Sequence, residues 1–486
     1  MNDDDRTADE ILDELEQDAL DDLGDQKILP PPTDPMAVAR QFIAEHHDDG
    51  GVQLLRWQAG VFYTYDGTCW PELDDRDLRS RIYKWTETAV FKMKTKAGTV
   101  LVPWQPNRHR VRDVFEAVQA VALLAATTSV PSWIVADGHP DATDVVSMGN
   151  GLLHLPSRKL GAHSPHFWVH HSLPFDYVRR PRQPRQWLRF LEELWEDDTE
   201  SITTLQEMFG YVLSGSTRLQ KMFLVVGPKR SGKGTIGRVL TGLLGRHNVA
   251  APTLSGMTSD FGLAPLIDRP LALVSDARLS DKRDSSIVVE RLLSVSGEDT
   301  LTINRKYKDH WTGRLPSRVV ILTNELPHLS DSSGAFASRF IVLKLTKTFF
   351  GREDPRLTDV LLEEATGIFA WSLVGLDRLL ERRYFVQPPS GAETVDELLD
   401  LASPTAMFIR ERCEVGPQYE TPVDAVYKAW RAWSEEKGYD RPGNVQVFGR
   451  DLRAVLPDIR IVQPRAEHGD RERRYAGIAL RERGKQ

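Results

Sequence analysis

The residues best placed to do chemistry form one run, Gly227-Pro228-Lys229-Arg230-Ser231-Gly232-Lys233-Gly234-Thr235. Its glycines let the backbone turn so that successive N–H groups face a phosphate, and a helix opening at the run's end adds positive potential there. Lys233 would reach the β- and γ-phosphates, so ATP with Mg2+ is the expected ligand. The residue after such a lysine is normally Ser or Thr. Here it is Gly234, with Thr235 next, which makes Thr235 the candidate hydroxyl ligand for magnesium. The same GKGT pattern occurs in nucleoside monophosphate kinases, so the loop alone does not name a reaction.

Three further polar residues follow at the ends of apolar runs. Leu271-Ala272-Leu273-Val274 ends in Ser275-Asp276, and a carboxylate at that edge can hold magnesium and polarise an attacking water. Val319-Val320-Ile321-Leu322-Thr323 ends in Asn324, an amide suited to sensing a γ-phosphate. Arg339 stands just before Phe340-Ile341-Val342-Leu343-Lys344-Leu345. In a ring ATPase an arginine there meets the neighbouring subunit's nucleotide, where a guanidinium contributes roughly 10³–10⁵ in rate. The proposed catalytic set is Lys233, Asp276, Asn324 and Arg339, and the last of these requires an oligomer.

These residues need a parallel sheet to hold them. Met222-Phe223-Leu224-Val225-Val226 and the three runs above are too continuous for half-exposed strands and read as buried ones. Ahead of them, Trp187, Phe190, Leu191, Leu194 and Trp195, then Leu205, Met208, Phe209 and Val212, recur at helical spacing, which predicts a helical collar over 186–220 leading into a core over 221–350. Residues 36–185 mix short apolar runs with turns, such as Val61-Phe62-Tyr63-Thr64-Tyr65-Asp66-Gly67, and are expected to form an α+β module. A helical segment and linker, with Pro388-Pro389-Ser390-Gly391 as its break, is expected over 351–395. Over 396–486, helices near 423–437 and 447–455 precede strand-like Ile459-Arg460-Ile461-Val462 and Arg474–Leu480, the order of a winged helix.

A chain of 486 residues with net charge −8 seems ill suited to nucleic acid until the charge is divided. Residues 1–35 hold thirteen acidic and two basic side chains, leaving the rest positive. That stretch reads first as a solvated, acidic disordered tail and second as a partner-binding segment, since Ile11, Leu12, Leu15 and Leu20 are spaced for a short amphipathic helix. Residues 441–486 hold eleven basic and six acidic residues, with Arg471, Arg473 and Arg474 close together on the expected wing, a patch fit for DNA backbone. Cys69 and Cys413 lie far apart without a Cys/His cluster, which excludes a zinc or disulfide framework of ordinary spacing. No run of eighteen apolar residues appears, so membrane insertion is not expected, and a cytoplasmic protein is.

Taken in order, the phosphate loop, the Asp276 strand, Gly297-Glu298-Asp299, Asn304-Arg305-Lys306-Tyr307-Lys308, Asn324 and Arg339 resemble the superfamily 3 helicases, closest to the poxvirus and phage/plasmid primase-helicase branch. Asn150-Gly151-Leu152-Leu153-His154-Leu155, Leu173-Pro174-Phe175-Asp176-Tyr177 and Gly210-Tyr211-Val212-Leu213-Ser214-Gly215 are similar to that branch's flanking region. Tyr427-Lys428-Ala429-Trp430 and Phe448-Gly449-Arg450 are similar to its terminal domain. The resemblance implies an AAA+ core, an α/β fold, assembled as a homo-hexamer and translocating on single-stranded DNA to unwind forks for a phage or plasmid, in the host cytoplasm if phage-encoded. It also implies a pore hairpin over Asn304–His310, with Arg305, Lys306, Tyr307, Lys308 and His310 on the strand. Cations spaced with an aromatic suit that task on their own chemistry, although a plain basic turn has the same composition. Relatives often carry a primase, yet Asp3-Asp4-Asp5 and Asp74-Asp75 lack the setting of a metal pair, and His46-His47 and His170-His171 lack other ligands, so primer synthesis is not expected of this chain, and a separate primase or replisome protein is the partner that the second reading of the acidic tail would take. The competing readings are an ATP-switched initiator or DNA loader and, more remotely, a nucleotide kinase.

Overall fold

A computed structural model of the protein describes residues 27–96, 98–135, 138–275, 277, 282–306, 308–327, 329, 331, 335–438, 443–463 and 472–481. Most of the acidic tail, Asp276, Tyr307 and Arg471 lie outside the described residues. The chain divides into two units. One runs up to Ala142 and takes in Ala162–His171; the other comprises Thr143–Gly161 and everything from Ser172 onward. Residues 36–185, expected as one α+β module, are shared between the two units.

In the first unit three helices, Pro35–His46, Asp75–Glu87 and Arg108–Val121, pack through Val38, Phe42, Leu78, Ile82, Val114 and Phe115. Each opens on a side-chain cap. Asp34 accepts from the Ala37 N–H at 3.0 Å, Asp74 from that of Arg76 at 2.7 Å, and Asn107 from those of His109 and Arg110 at 3.0 and 3.1 Å. Such caps satisfy amides that a helix leaves orphaned, each typically stabilising it by about 1 kcal/mol. Strands Leu55–Gln58, Val61–Thr64 and Glu72–Leu73 form an antiparallel sheet. A separate two-stranded ribbon pairs Val90–Thr95 with Gly98–Pro103. Residues 27–34, grouped with the tail by composition, are instead structured here: Ile28 bridges Val90, and Leu29 is buried.

The second unit is built on five parallel strands, β1 Met222–Val226, β2 Val249–Ala250, β3 Leu271–Val274, β4 Arg318–Thr323 and β5 Phe340–Lys344, in the spatial order β2-β3-β4-β1-β5. Their unbroken hydrophobicity has a direct cause in burial on both faces. Phe223, Val225, Val320, Leu322, Ile341 and Leu343 enter one core with helices Arg185–Trp195, Thr199–Leu213, α1 Lys233–Leu244 and Ala365–Arg382. Met222, Leu224, Val319, Ile321 and Val342 enter another with α2 Lys282–Ser296 and helix Pro389–Ala402. Each such side chain contributes about 1.5–3 kcal/mol by leaving water.

Helix Thr199–Leu213 is tied to Ala365–Arg382 by a buried carboxylate. Glu207, 1% exposed, receives Arg378 Nε at 2.7 Å and an Arg382 guanidinium nitrogen at 2.5 Å. At the crossing, a Cβ on Gly210 would meet the Ser372 carbonyl oxygen at 2.4 Å, so the Gly210–Gly215 motif serves close packing. Pro388-Pro389-Ser390-Gly391 is not a linker. Proline is favoured in the first turn, where no N–H is needed, and this run opens the helix Pro389–Ala402. That helix is fixed to β5 through Gln387, which bonds both the N–H and the C=O of Val342 at 2.9 and 2.8 Å.

The terminal segment runs helix Pro404–Arg412, strand Cys413–Pro422, helices Val423–Glu436 and Val445–Val455, then strands Arg460–Val462 and Arg474–Leu480. The last strand lies in the middle of the three, around a core of Phe408, Trp430, Trp433, Phe448 and Tyr475. Among the described residues no helix is long and apolar enough to cross a membrane.

Candidate functional site

The chain leaves β1 at Val226 and makes a tight turn. Gly227 sits where a Cβ would meet the Leu345 carbonyl oxygen at 2.5 Å, and Arg230 and Gly232 take positive φ of 60° and 91°. Gly232 caps α1 without any side-chain acceptor, and while the Thr235 N–H donates to the Gly232 carbonyl at 3.0 Å, the helix start keeps its positive potential for an outside anion. Lys233 is 8% exposed, and its ammonium donates to the carbonyls of Gly227 and Pro228, both at 2.7 Å, and to Ser231 Oγ at 3.1 Å. Burial lowers its pKa. The lysine is thus held over the turn by acceptors that a phosphate oxygen can replace.

Beside it lies a cavity of about 300 Å3 lined by Lys233, Gly234, Gly237, Arg238, Leu273, Ser275, Leu322, Thr323 and Asn324. Parallel strands bring these together: Val226 pairs with Thr323, and Val274 with Ile321, so the C-terminal ends of β1, β3 and β4 open on one edge. Asn324 is exposed into this edge, while Ser275 marks where the chain enters Asp276. Thr235 is nearly buried, and its hydroxyl accepts from Arg238 at 3.0 Å.

Arg238 also reaches Thr358 Oγ1 at 2.9 Å and lines the cavity, a residue that motif reasoning passed over. Its spacing of three from Thr235 on a helix was the available clue. A second omission is the segment after β5. Thr348 Oγ1 donates to the Lys229 carbonyl at 2.9 Å, the Phe349 N–H to that of Arg230 at 2.9 Å, and Glu353 pairs with Arg230 at 3.3 Å. These contacts brace the turn from its far side.

Arg339 is not at this edge. The Met222 N–H donates to its carbonyl at 2.8 Å, which puts it at the N-terminal ends of β1 and β5. Its guanidinium reaches Leu293 O at 3.4 Å and Ser296 Oγ at 3.1 Å in the last turn of α2. A Cβ on Gly297 would meet that guanidinium at 3.1 Å. Within one subunit it therefore cannot join Lys233.

Five residues after α2 a hairpin begins, Leu301–Arg305 paired with Lys308–Gly313. Ile303, 3% exposed, faces Trp311 across the strands and fixes the root. Lys306, Lys308 and His310 are exposed, and Arg305 Nε donates to the Asp309 carbonyl at 2.8 Å. In the terminal segment Arg473 is exposed, and Arg474 opens the central strand and pairs with Glu472 at 2.9 Å. Asn150 and Tyr177, from two of the flanking motifs, bond each other at 3.1 and 2.8 Å and hold loop to loop. Among the described residues no group of three or more His, Cys, Asp and Glu side chains is arranged to hold a metal.

Residues 39–196 match the family model described as "D5 N terminal like", and residues 225–339 match a family of unknown function, DUF5906. Among solved structures the chain is similar to the apo structure of the NrS-1 C terminal region, at 12% identity and TM-score 0.48, covering 91% of this chain and 99% of that one. An A form apo structure of the same region gives 12% identity and TM-score 0.43, covering 87% and 95%. The chain is thus similar to D5 N terminal like proteins over 39–196 and to a family without an assigned function across the central strands β1, β3 and β4.

Proposed function

We propose that this protein is an ATP-dependent DNA helicase of a phage or plasmid replication system, working as a hexameric ring. The observation that carries the reading is the buried Lys233 ammonium beside a cavity whose other wall is Ser275, Thr323 and Asn324. The strand order β2-β3-β4-β1-β5 supports an AAA+ type core, and the strand order of the terminal segment supports a winged helix. The match to D5 N terminal like proteins supports the replication setting.

The residues fit a magnesium-bound nucleoside triphosphate: the turn excludes a Cβ at Gly227, takes left-handed backbone at Arg230 and Gly232, and sets the buried cation of Lys233 beside the cavity. Bound there, the triphosphate would supply the phosphoanhydride whose hydrolysis powers movement. Lys233 would hold the phosphate oxygens in place of its carbonyl partners, Thr235 and Asp276 would hold the metal, and Asn324 would orient water. Arg339 acts on the neighbour's nucleotide, a role compatible with its place at the opposite ends of β1 and β5 from Lys233. Arg305, Lys306, Tyr307, Lys308 and His310 follow the single strand, and Arg471, Arg473 and Arg474 contact duplex backbone.

Unwinding of a forked DNA and DNA-stimulated hydrolysis, measured on the same samples for wild type and Lys233→Ala, test this. The variant should bind DNA but lose hydrolysis by about 10²-fold or more, and unwinding with it. DNA-stimulated hydrolysis without any unwinding would favour a loader instead.

A further inference from the structure

The ribbon Val90–Thr95 with Gly98–Pro103 belongs to none of the machinery described above. Between Glu87 and Asp113 the sequence holds Lys92, Lys94, Lys96, Arg108, Arg110 and Arg112 and no acidic residue. The preceding stretch, residues 27–87, holds seven basic and ten acidic residues. Positive charge in this unit is therefore gathered onto the ribbon and the helix start that follows it.

The fold presents that charge. Only the ribbon's base is anchored, where the Trp104 N–H donates to the Ala89 carbonyl at 2.8 Å and Trp104 is fully buried. Every described residue from Lys92 to Val100 is exposed. Alternation along the strand puts Lys92 and Lys94 on one face, roughly 6.6 Å apart, with Lys96 at the turn. Among the described residues none of these three lysines makes an ion pair. A lysine on an edge strand can simply deter aggregation, but that needs one charge, not a like-signed row carried out to the tip.

We propose that this ribbon is a second nucleic-acid contact, gripping the phosphate backbone of double-stranded DNA through Lys92, Lys94 and Lys96. Two strands about 4.8 Å apart are narrow enough for a major groove roughly 12 Å wide. The tip carries no Trp or Phe to seat in a lipid interface, which favours DNA over an anionic membrane. The contact is independent of the nucleotide reading, since it needs neither hydrolysis nor Lys233.

The test is binding of a blunt 30-base-pair duplex by the full chain without nucleotide, across a salt series. Lys92→Ala/Lys94→Ala/Lys96→Ala should weaken binding roughly tenfold or more at 0.1 M salt and lower the salt slope by about 3, one per lost phosphate contact. Lys92→Arg/Lys94→Arg/Lys96→Arg should retain both, and unchanged thermal melting of the alanine variant guards against misfolding. Equal affinity and slope for wild type and the alanine variant would overturn the proposal. So would an alanine variant that loses binding to phosphatidylserine vesicles while keeping the duplex.

Discussion

The hairpin Leu301–Gly313 and the ribbon Val90–Pro103 are close in length and both carry lysines, but they are mounted differently. The hairpin is rooted: Ile303 is buried in the same core as β1 and β4, and the helix whose last turn holds Arg339 leads into it. The ribbon is rooted at its base alone, through Val90, Phe91 and Trp104, and every described residue from Lys92 to Val100 is exposed. A rooted hairpin can be moved by the core on which it packs; a projecting ribbon can only hold on. On the function proposed above, the two basic elements would divide the tasks, one transmitting work and the other supplying grip.

The largest expected difference between them is in activity. Arg305→Ala/Lys306→Ala should cut unwinding roughly tenfold or more while leaving hydrolysis without DNA near wild type; an unwinding assay with normal rates would remove the hairpin from the motor. Stability gives the next contrast. Ile303→Ala removes a buried side chain and should cost about 2–4 kcal/mol in denaturant unfolding, whereas Met93→Ala, on a residue 42% exposed, should stay within about 0.5 kcal/mol. Equal costs would mean the ribbon is as deeply rooted as the hairpin.

Acid should separate the units that carry them. His47, in the ribbon's unit, is 3% exposed, and burial, with Arg81 and His46 nearby, pushes its pKa down to about 4. Below about pH 6.5 the unfolded chain takes up a proton that the folded one refuses, so stability falls as pH drops from 6.5 toward 4, by up to about 3 kcal/mol. Each unit holds one buried thiol as a reporter, Cys69 and Cys413, both pushed up to about 12 by burial. Titrated with dithiodipyridine, Cys69 should react at a higher pH than Cys413, and His47→Leu should abolish the gap.

The same contrast explains what sequence made legible. Strands β1, β3, β4 and β5 stand out because burial on both faces demands unbroken apolar runs, and the turn over 227–235 because glycine spacing is dictated by backbone geometry. The hairpin around Arg305 was read from an ordered set of motifs. The ribbon has neither mark: its strands alternate lysine with Met93 and Thr95, which looks like surface from either side. Long-range pairing was equally hidden. Nothing local says that Arg158 will meet Asp377 at 2.6 Å, which ties Thr143–Gly161 to the second unit, or that Leu29 packs under helices capped by Asp34 and Asn107. Arg238 and the Thr348–Glu353 brace escaped because their role depends on where β5 ends.

The buried Glu207 fixes how small the second unit can be cut. The sheet is complete at Lys344, and an excised piece ending near residue 350 would keep all five strands. It would also take away Arg378 and Arg382, the partners of Glu207, and return to water Met208, Phe209 and Val212, which share a core with Ile368, Phe369, Leu373 and Leu376 of the lost helix, at about 1.5–3 kcal/mol for each such side chain against a small domain's whole stability of about 5–15 kcal/mol. The smallest autonomous fragment therefore extends past Arg382, about forty residues beyond the last strand of the sheet it serves.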